Sequence, residues 1–149
     1  MVTKSHPLLG EVIPAQRKVY EDQYAMVSIM DSIPCVKMTL NGVPQSSDHF
    51  QFVQGKMLES IHTGMEDYCR LHLLTDGSKA GVVLDEDLDY YKTNVVPAME
   101  KAGIRYHAIV LPESFIVRLI INQITLSTEK LKVECFKTIR GASKWLRNR

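Results

Sequence analysis

The chain has 149 residues, of which 45% are hydrophobic and 23% are charged, and its formal net charge at pH 7 is +1. These values are typical of one globular domain, and they exclude an overall field that would attract nucleic acid or acidic lipid. We predict a single domain over residues 16–149 and a flexible arm over residues 1–15, which lacks the apolar core of a signal peptide. The sequence therefore predicts a cytoplasmic protein without a membrane span and without nucleic-acid binding.

The first patterned segment predicts an antiparallel hairpin. Apolar and other residues alternate over residues 25–30, and a second strand-like run follows over residues 35–40. Residues 31–34 hold turn-forming residues between the two runs. Asn41 and Gly42 end the hairpin.

The next segment changes to a helical period. Its apolar residues recur every three or four positions, which places them on one side of a helix. Candidates for the helix N-cap are Ser46, Ser47 and Asp48, and Asp48 has capping-box spacing to Gln51. Gly64 indicates fraying near the helix end. The apolar residues are Phe50, Val53, Met57, Ile61 and Met65.

A buried central strand is predicted over residues 71–75, followed by a glycine-containing loop over residues 76–81. A second helix opens at the acidic residues 85–87, because negative charge is favoured at the positive end of a helix. Pro97 must kink or split this helix, since proline lacks the backbone N–H group. Gly103 is a natural C-terminal stop.

The last third of the chain continues the alternation of strands and helices. We predict strands over residues 106–111 and 132–136, and helices over residues 115–126 and 138–147. The element order is then β-β-α-β-α-β-α-β-α, which predicts parallel strand pairing with right-handed crossovers.

The C-terminal part of the chain is basic, with three acidic and eight basic residues over residues 113–149. Lys144, Arg147 and Arg149 are expected to complement the negative end of the last helix. No aromatic residues alternate with these charges to stack nucleic-acid bases. Helix complementation is therefore the simpler explanation of the basic residues.

Four segments carry a family resemblance, and together they extend across most of residues 18–147. They are AMVSIMDSIPCVKMTLNG, HLLTDGSKAGVVLDEDLDYY, GIRYHAIVLPESF and VECFKTIRGASKWL. They resemble the STAS domain, the fold of bacterial anti-sigma-factor antagonists, and more closely the small single-domain STAS-like proteins of bacteria. The resemblance implies an α/β domain with a mixed sheet of four or five strands flanked by about four helices. Its sharpest feature is a packing pattern formed by Phe136, Ala142, Trp145 and Leu146.

The regulatory members of that family carry a serine or threonine that a partner kinase phosphorylates. It begins the helix after the central strand, in a pattern of aspartate, two serines and glycine. Here the helix opens with residues 84–87 (LDED), without a hydroxyl group, and neither Thr75 nor Ser78 lies at the matching position. The phosphorylation site is therefore not carried over to this chain. Capping of the helix explains Asp85 and its acidic neighbours.

A candidate ligand or partner loop follows the central strand, because open α/β sheets bind ligands outside the carboxyl ends of their strands. Its residues contain neither GxxxxGK[ST] nor GxGxxG, so a solvent-facing turn is the simpler interpretation. The loop residues are Asp76, Gly77, Ser78 and Lys79, with Asp85 beyond them.

No residue pattern in the chain indicates catalysis. His72 and His107 lie on neighbouring predicted strands, but neither belongs to an HxH or HxxxH motif, so hydrogen-bonded core or edge histidines are expected. The cysteines, Cys35, Cys69 and Cys135, have no zinc-site or redox-pair spacing and are expected to be buried reduced thiols. GxSxG and paired acids are also absent. We predict no enzyme, no catalytic residue, no metal and no cofactor.

The segment over residues 115–126 is apolar nearly all round, which fits either a core helix or a contact with a second copy or another protein. We therefore predict a non-catalytic protein-interaction or regulatory module that forms a homodimer. The alternative is a protein that binds a small apolar, lipid-like ligand between helix and sheet. An enzyme would need two of His72, His107 and Asp76 within hydrogen-bonding reach. The possible interface residues are Phe115, Arg118, Ile121 and Asn122.

Overall fold

A computed structural model of the protein describes residues 16–112, 122, 128 and 130–149. This part of the chain contains a mixed sheet of six strands in the order β1-β2-β3-β4-β5-β6. Strands β1 to β3 pair antiparallel, and strands β3 to β6 pair in parallel. The strands are β1 (Gln16–Glu21), β2 (Ala25–Met30), β3 (Cys35–Gly42), β4 (His72–Ala80), β5 (Tyr106–Val110) and β6 (Lys132–Phe136).

The α/β class is confirmed, but the prediction of four or five strands is wrong. The missed strand is β1, which lies at the edge of the sheet and exposes five of its six residues. An edge strand of this kind has no alternation of apolar residues from which it can be recognised.

Three helical segments accompany the sheet in the described ranges. They are α1 (Ser47–Asp67), a segment over residues 85–102, and α4 (Ile139–Arg147). The middle segment consists of α2 (Asp85–Tyr90), a π turn (Tyr91–Val95) and α3 (Val96–Ala102). None of these helices is long and apolar enough to cross a lipid bilayer. The helix predicted over residues 115–126 lies outside the described residues, apart from the helical Asn122.

Pro97 splits the middle helical segment, as predicted. The ring of a proline clashes with the carbonyl of the residue four positions earlier, so the preceding turn cannot stay α-helical without strain. In this protein the turn widens, and the N–H of Val96 donates to the carbonyl of Tyr91, five positions back. Gly103 then ends the segment in the left-handed conformation at φ 105°, which confirms the predicted stop.

The strands bury alternate residues on the two faces of the sheet, and each face has its own core. The first face packs against α1 and the segment over residues 85–102, and contains Val27, Leu73 and Ile109. The second face packs against α4 through Ala142 and Leu146. Both residues belong to the packing pattern noted in the sequence, and both are buried.

The N-terminus of α1 is capped by Ser46, whose Oγ accepts a hydrogen bond from the N–H of His49 at 3.1 Å. Ser46 was one of three predicted candidates, and the capping box between Asp48 and Gln51 is wrong, because Ser46 already holds the cap. Gly64 does not mark fraying. A Cβ atom there would lie 2.8 Å from Cδ2 of Leu71, so the glycine lets α1 approach the chain before β4.

Asp22 joins the turn between β1 and β2 to the start of α1. Its Oδ1 accepts hydrogen bonds from the N–H groups of Tyr24 and Ala25 at 2.7 and 2.8 Å. Its Oδ2 accepts from the hydroxyl of Tyr20 and from Nε2 of His49, the latter at 2.6 Å. Burial alone would raise the pKa of Asp22, but these hydrogen bonds favour the carboxylate and lower its pKa to about 2.

Because the folded state holds Asp22 ionised, this residue stabilises the protein above its unfolded pKa of 3.8, and the contribution is lost as the pH falls towards 2. The wild type is expected to lose stability between pH 5 and pH 3. We expect this loss to be about 1 kcal/mol smaller in Asp22→Asn, after allowance for the partial exposure of the carboxylate. Urea unfolding at both pH values measures this difference. Asp89→Asn, at an exposed position of α2, is the control. An unchanged pH dependence in Asp22→Asn would contradict the role assigned to this carboxylate.

Candidate ligand cavity

A cavity of about 90 Å³ lies between the first face of the sheet and helices α1 and α2. Its walls are mainly aliphatic and aromatic, which is typical of small-molecule sites. Tyr91 of the π turn also lines it, and π turns inside α-helices occur frequently at functional sites. The described lining residues are Tyr24, Met38, Leu40, Phe50, Gln54, Met57, Leu73, Thr75, Gly77, Ala80, Gly81, Val83, Leu88, Tyr91, His107 and Ile109.

The predicted loop over residues 76–81 is largely strand, which corrects the sequence-based assignment. β4 continues to Ala80 because it pairs with β3 again beyond an irregularity, through Asn41 with Lys79 and Gly42 with Ala80. Sequence could not show this extension, since a strand that follows a bulge loses its period of two.

The predicted loop residues do not form one site. Of the candidate residues Asp76, Gly77, Ser78, Lys79 and Asp85, only Gly77 lines the cavity. A Cβ atom there would lie 3.0 Å from the carbonyl oxygen of Val110. Asp76 accepts hydrogen bonds from the N–H and hydroxyl of Ser78 at 3.1 and 2.7 Å, and this local turn occupies its Oδ1. Lys79 is exposed, as is Asp85 in the first turn of α2.

His107 is the first polar group of the cavity wall. It is 1% exposed, and its Nε2 lies 2.8 Å from Oγ1 of Thr75 on the neighbouring strand. Its Nδ1 is buried without a hydrogen-bond partner in the described part of the chain. Burial disfavours the charged ring and lowers the pKa of His107 to about 3, so the imidazole is neutral at physiological pH.

Gln54 is the second polar group, and it comes from α1. It is 3% exposed, and its Oε1 likewise has no partner among the described residues. Gln54 lies four residues after Phe50 and three before Met57, so it shares their apolar helix face. Sequence reasoning missed this residue, although a glutamine within an apolar helical stripe is a signal that could have found it.

Two tyrosines complete one wall of the cavity. Burial raises the pKa of Tyr24 to about 12, and the negative charges of Asp87 and Asp22 add to this effect. Burial also raises the pKa of Tyr91. Both side chains therefore remain uncharged phenols over the physiological range, and no charged group occurs among the described residues that line the cavity.

His72 and Asp76 do not join His107. In the register of β4 and β5, Leu73 pairs with His107 and Thr75 pairs with Ile109, so these four residues share the first face. His72 and Asp76 are even-numbered neighbours of Leu73 and Thr75 and therefore point to the opposite face. His107 therefore lies on the opposite face of the sheet from His72 and Asp76 and cannot combine with either of them in one site.

The remaining predicted site residues have different outcomes. Phe115, Arg118 and Ile121 lie outside the described residues, and Asn122 is an exposed helical residue. The prediction that all three cysteines are buried is wrong. Only Cys35 is buried, whereas Cys69 is exposed and Cys135 is partly exposed. Within the described ranges, no cluster of three histidine, cysteine or acidic side chains could hold a metal ion.

Comparisons of the chain with family models, with curated proteins and with solved structures find no significant match. Function is therefore inferred from the geometry and chemistry of the chain itself.

The buried neutral state of His107 has a measurable consequence for stability. Its folded pKa of about 3 is below its unfolded value of 6.5, so the unfolded chain binds more protons between these values and stability falls as the pH is lowered. We expect the wild type to lose about 2 kcal/mol more than His107→Gln between pH 7 and pH 5. Urea unfolding at the two pH values tests this. His62→Gln, on an exposed position of α1, should behave like the wild type, and equal losses in all three proteins would refute the buried neutral imidazole.

Proposed function

We propose that this protein is a non-catalytic binding protein whose cavity takes a small, uncharged amphipathic molecule. The observation that carries the proposal is an apolar cavity whose wall contains two buried polar atoms, Nδ1 of His107 and Oε1 of Gln54, that have no hydrogen-bond partner among the described residues. Burying a polar group without a hydrogen bond costs stability, so such atoms are rare in proteins unless water or a ligand completes them. A ligand with an apolar body and one hydrogen-bonding group would satisfy both requirements.

The absence of charge from the described lining defines the polarity of the ligand. A bound carboxylate or ammonium group would lose its hydration and find no opposite charge, which is strongly unfavourable. Oε1 of Gln54 can only accept a hydrogen bond, so the ligand group that completes it must be a donor. Alcohols and amides are therefore preferred over acids and amines.

The size of the cavity limits the part of the ligand that it encloses. An engineered apolar cavity of about 150 Å³ holds benzene. The volume of about 90 Å³ therefore suits a short aliphatic group. Longer molecules would extend past Ala80, Gly81 and Val83, which are partly exposed. Val43, Val82 and Leu84 beside this opening are also exposed and would contact such an apolar extension.

The STAS-like assignment remains part of the proposal, as does a bacterial, cytoplasmic protein that acts with a partner or as a homodimer. The order of an antiparallel meander followed by parallel strands and intervening helices supports the fold assignment. The interface over residues 115–126 stays a prediction. No contact of the described residues favours the interaction module over the ligand-binding protein.

Titration with short-chain probes tests the proposed binding. Met38 and Met57 line the cavity, so their methyl groups, labelled with ¹³C, report its occupancy, whereas Met99 lies elsewhere in the core. We expect 1-butanol to shift the signals of Met38 and Met57 saturably, and sodium butyrate at equal concentration to leave them unchanged, because the cavity cannot neutralise a carboxylate.

A pair of variants separates cavity binding from general effects of the alcohol. Ala80→Leu adds volume inside the cavity and should weaken 1-butanol binding at least about tenfold, which corresponds to about 1.4 kcal/mol. Val82→Leu adds the same kind of group at an exposed neighbouring position that does not line the cavity. It should bind like the wild type. Equal binding of butyrate and butanol, or no saturable shift, would reject the proposal.

Gln54→Met distinguishes a binding role of Gln54 from a structural one. The methionine has a similar length and removes the unpartnered amide oxygen, so the ligand-free protein should become more stable by about 1 kcal/mol in urea unfolding. Binding of 1-butanol should weaken in the same variant, because one hydrogen-bonding partner is lost. A destabilised variant with unchanged butanol affinity would show that the amide serves the fold instead.

A further inference from the structure

A basic hollow of about 200 Å³ lies at the start of β4, on the other face of the sheet from the cavity. Three of its walls are the turn between β2 and β3, the residues that open β4, and the end of α4. We call it the basic hollow and define it by its lining residues, Ser32, Ile33, Pro34, Arg70, His72, Leu146, Arg147 and Arg149.

Three arginines converge on the basic hollow. Arg70 precedes β4, while Arg147 and Arg149 come from the end of α4. None of their guanidinium groups forms an ion pair with a carboxylate in the residues that the structure describes. The hollow is therefore lined by three arginines and by no acidic side chain among its described residues.

Aromatic rings orient one of these charges. The guanidinium carbon of Arg149 lies 4.8 Å from the ring centre of Trp145 and 5.7 Å from that of Tyr106. Tyr106 in turn packs edge-on against both Trp145 and His72. Such stacking limits the rotamers of an arginine, so less conformational entropy is lost when it binds a ligand.

His72 is a second and independent observation. It lines the basic hollow, is 4% exposed, and its Nδ1 has no partner among the described residues. It also lines an adjoining hollow of about 450 Å³ with Arg70, Tyr106 and three further cations. Burial lowers the pKa of His72, and the charge of Arg70 lowers it further. A hydrogen bond with the backbone of Arg149 raises the pKa and offsets part of this shift. The further cations are Arg105, Lys130 and Lys132.

Complementation of the α4 dipole does not explain this arrangement. It accounts for cations in the last turn of the helix, such as Lys144 and Arg147. It gives no reason for Arg70, which belongs to another element, or for a buried histidine nitrogen without a partner. Several guanidinium groups around one hollow are instead the usual means of binding a multiply charged oxyanion.

We propose that the basic hollow binds a phosphate group, either as free phosphate or as the phosphate of a small organic phosphate. Arg70, Arg147 and Arg149 supply the charge, and the buried imidazole of His72 lines the hollow beside them. The adjoining hollow with Tyr106 takes the organic part of a phosphate ester. The site is independent of the apolar cavity, since His72 and His107 lie on opposite faces of the sheet.

NMR of the histidine and arginine side chains in the full-length protein tests this proposal. Inorganic phosphate and phenyl phosphate are titrated against sodium chloride at constant ionic strength and pH 7.5. We expect saturable shifts of His72 and Arg149 with both phosphates and none with chloride. Tighter binding of phenyl phosphate would assign the site to phosphate esters, whereas equal affinities would assign it to free phosphate.

Two variants and a control outside the hollow complete the test. Arg70→Gln and Arg147→Gln should each weaken phosphate binding about tenfold, because each removes a charged hydrogen-bond donor. The double variant Arg140→Gln/Lys144→Gln removes two charges from exposed positions of α4 outside the hollow and should change the affinity less than twofold. The proposal is overturned if phosphate causes no saturable shift. It is also overturned if Arg70→Gln has no effect, or if the control weakens binding as much as Arg147→Gln does.

Discussion

The parallel pairing of β3, β4 and β5 is the constraint on which the rest of the structure depends. A parallel sheet needs cover on both faces, and here α1 to α3 cover one face and α4 the other. The period of two along β4 then decides the chemistry of each face. Leu73 and Thr75 are directed to the apolar cavity, while His72 is directed to the basic hollow on the other face of the sheet. One strand thus separates two candidate sites that share no residue.

The cavity exists because the cover of the first face is locally irregular. Pro97 forces a wider π turn, and this turn carries Tyr91 into the cavity wall. On the sheet side, glycines replace side chains where β4 meets its neighbours. A Cβ atom on Gly81 would lie 2.7 Å from Cγ1 of Val43. A regular helix over a regular strand would be expected to pack at the density of a protein interior and leave no such space.

Much of the fold could be predicted from the sequence, because apolar periodicity survives wherever an element buries one face. Strands β2 and β3, helix α1, the break at Pro97 and the stop at Gly103 are of this kind. The exposed strand β1 and the extension of β4 beyond its bulge have no such periodicity. For the cavity, the sequence predicted only that a ligand could be held between helix and sheet. The polar atoms of the cavity wall could not be predicted, because the pairing of His107 with Thr75 depends on strand register, which the sequence does not encode locally.

The polar atoms of the cavity place stability and binding in opposition. An apolar side chain at position 54 or 107 would pack without leaving an unpartnered donor or acceptor, so selection for stability alone would favour it. Asp22 differs, because both of its carboxylate oxygens accept hydrogen bonds from groups of the protein itself. Oε1 of Gln54 and Nδ1 of His107 have no such partner in the part of the chain that the structure describes, although these side chains are more deeply buried. A group supplied from outside the chain is the simplest physical reason for retaining them.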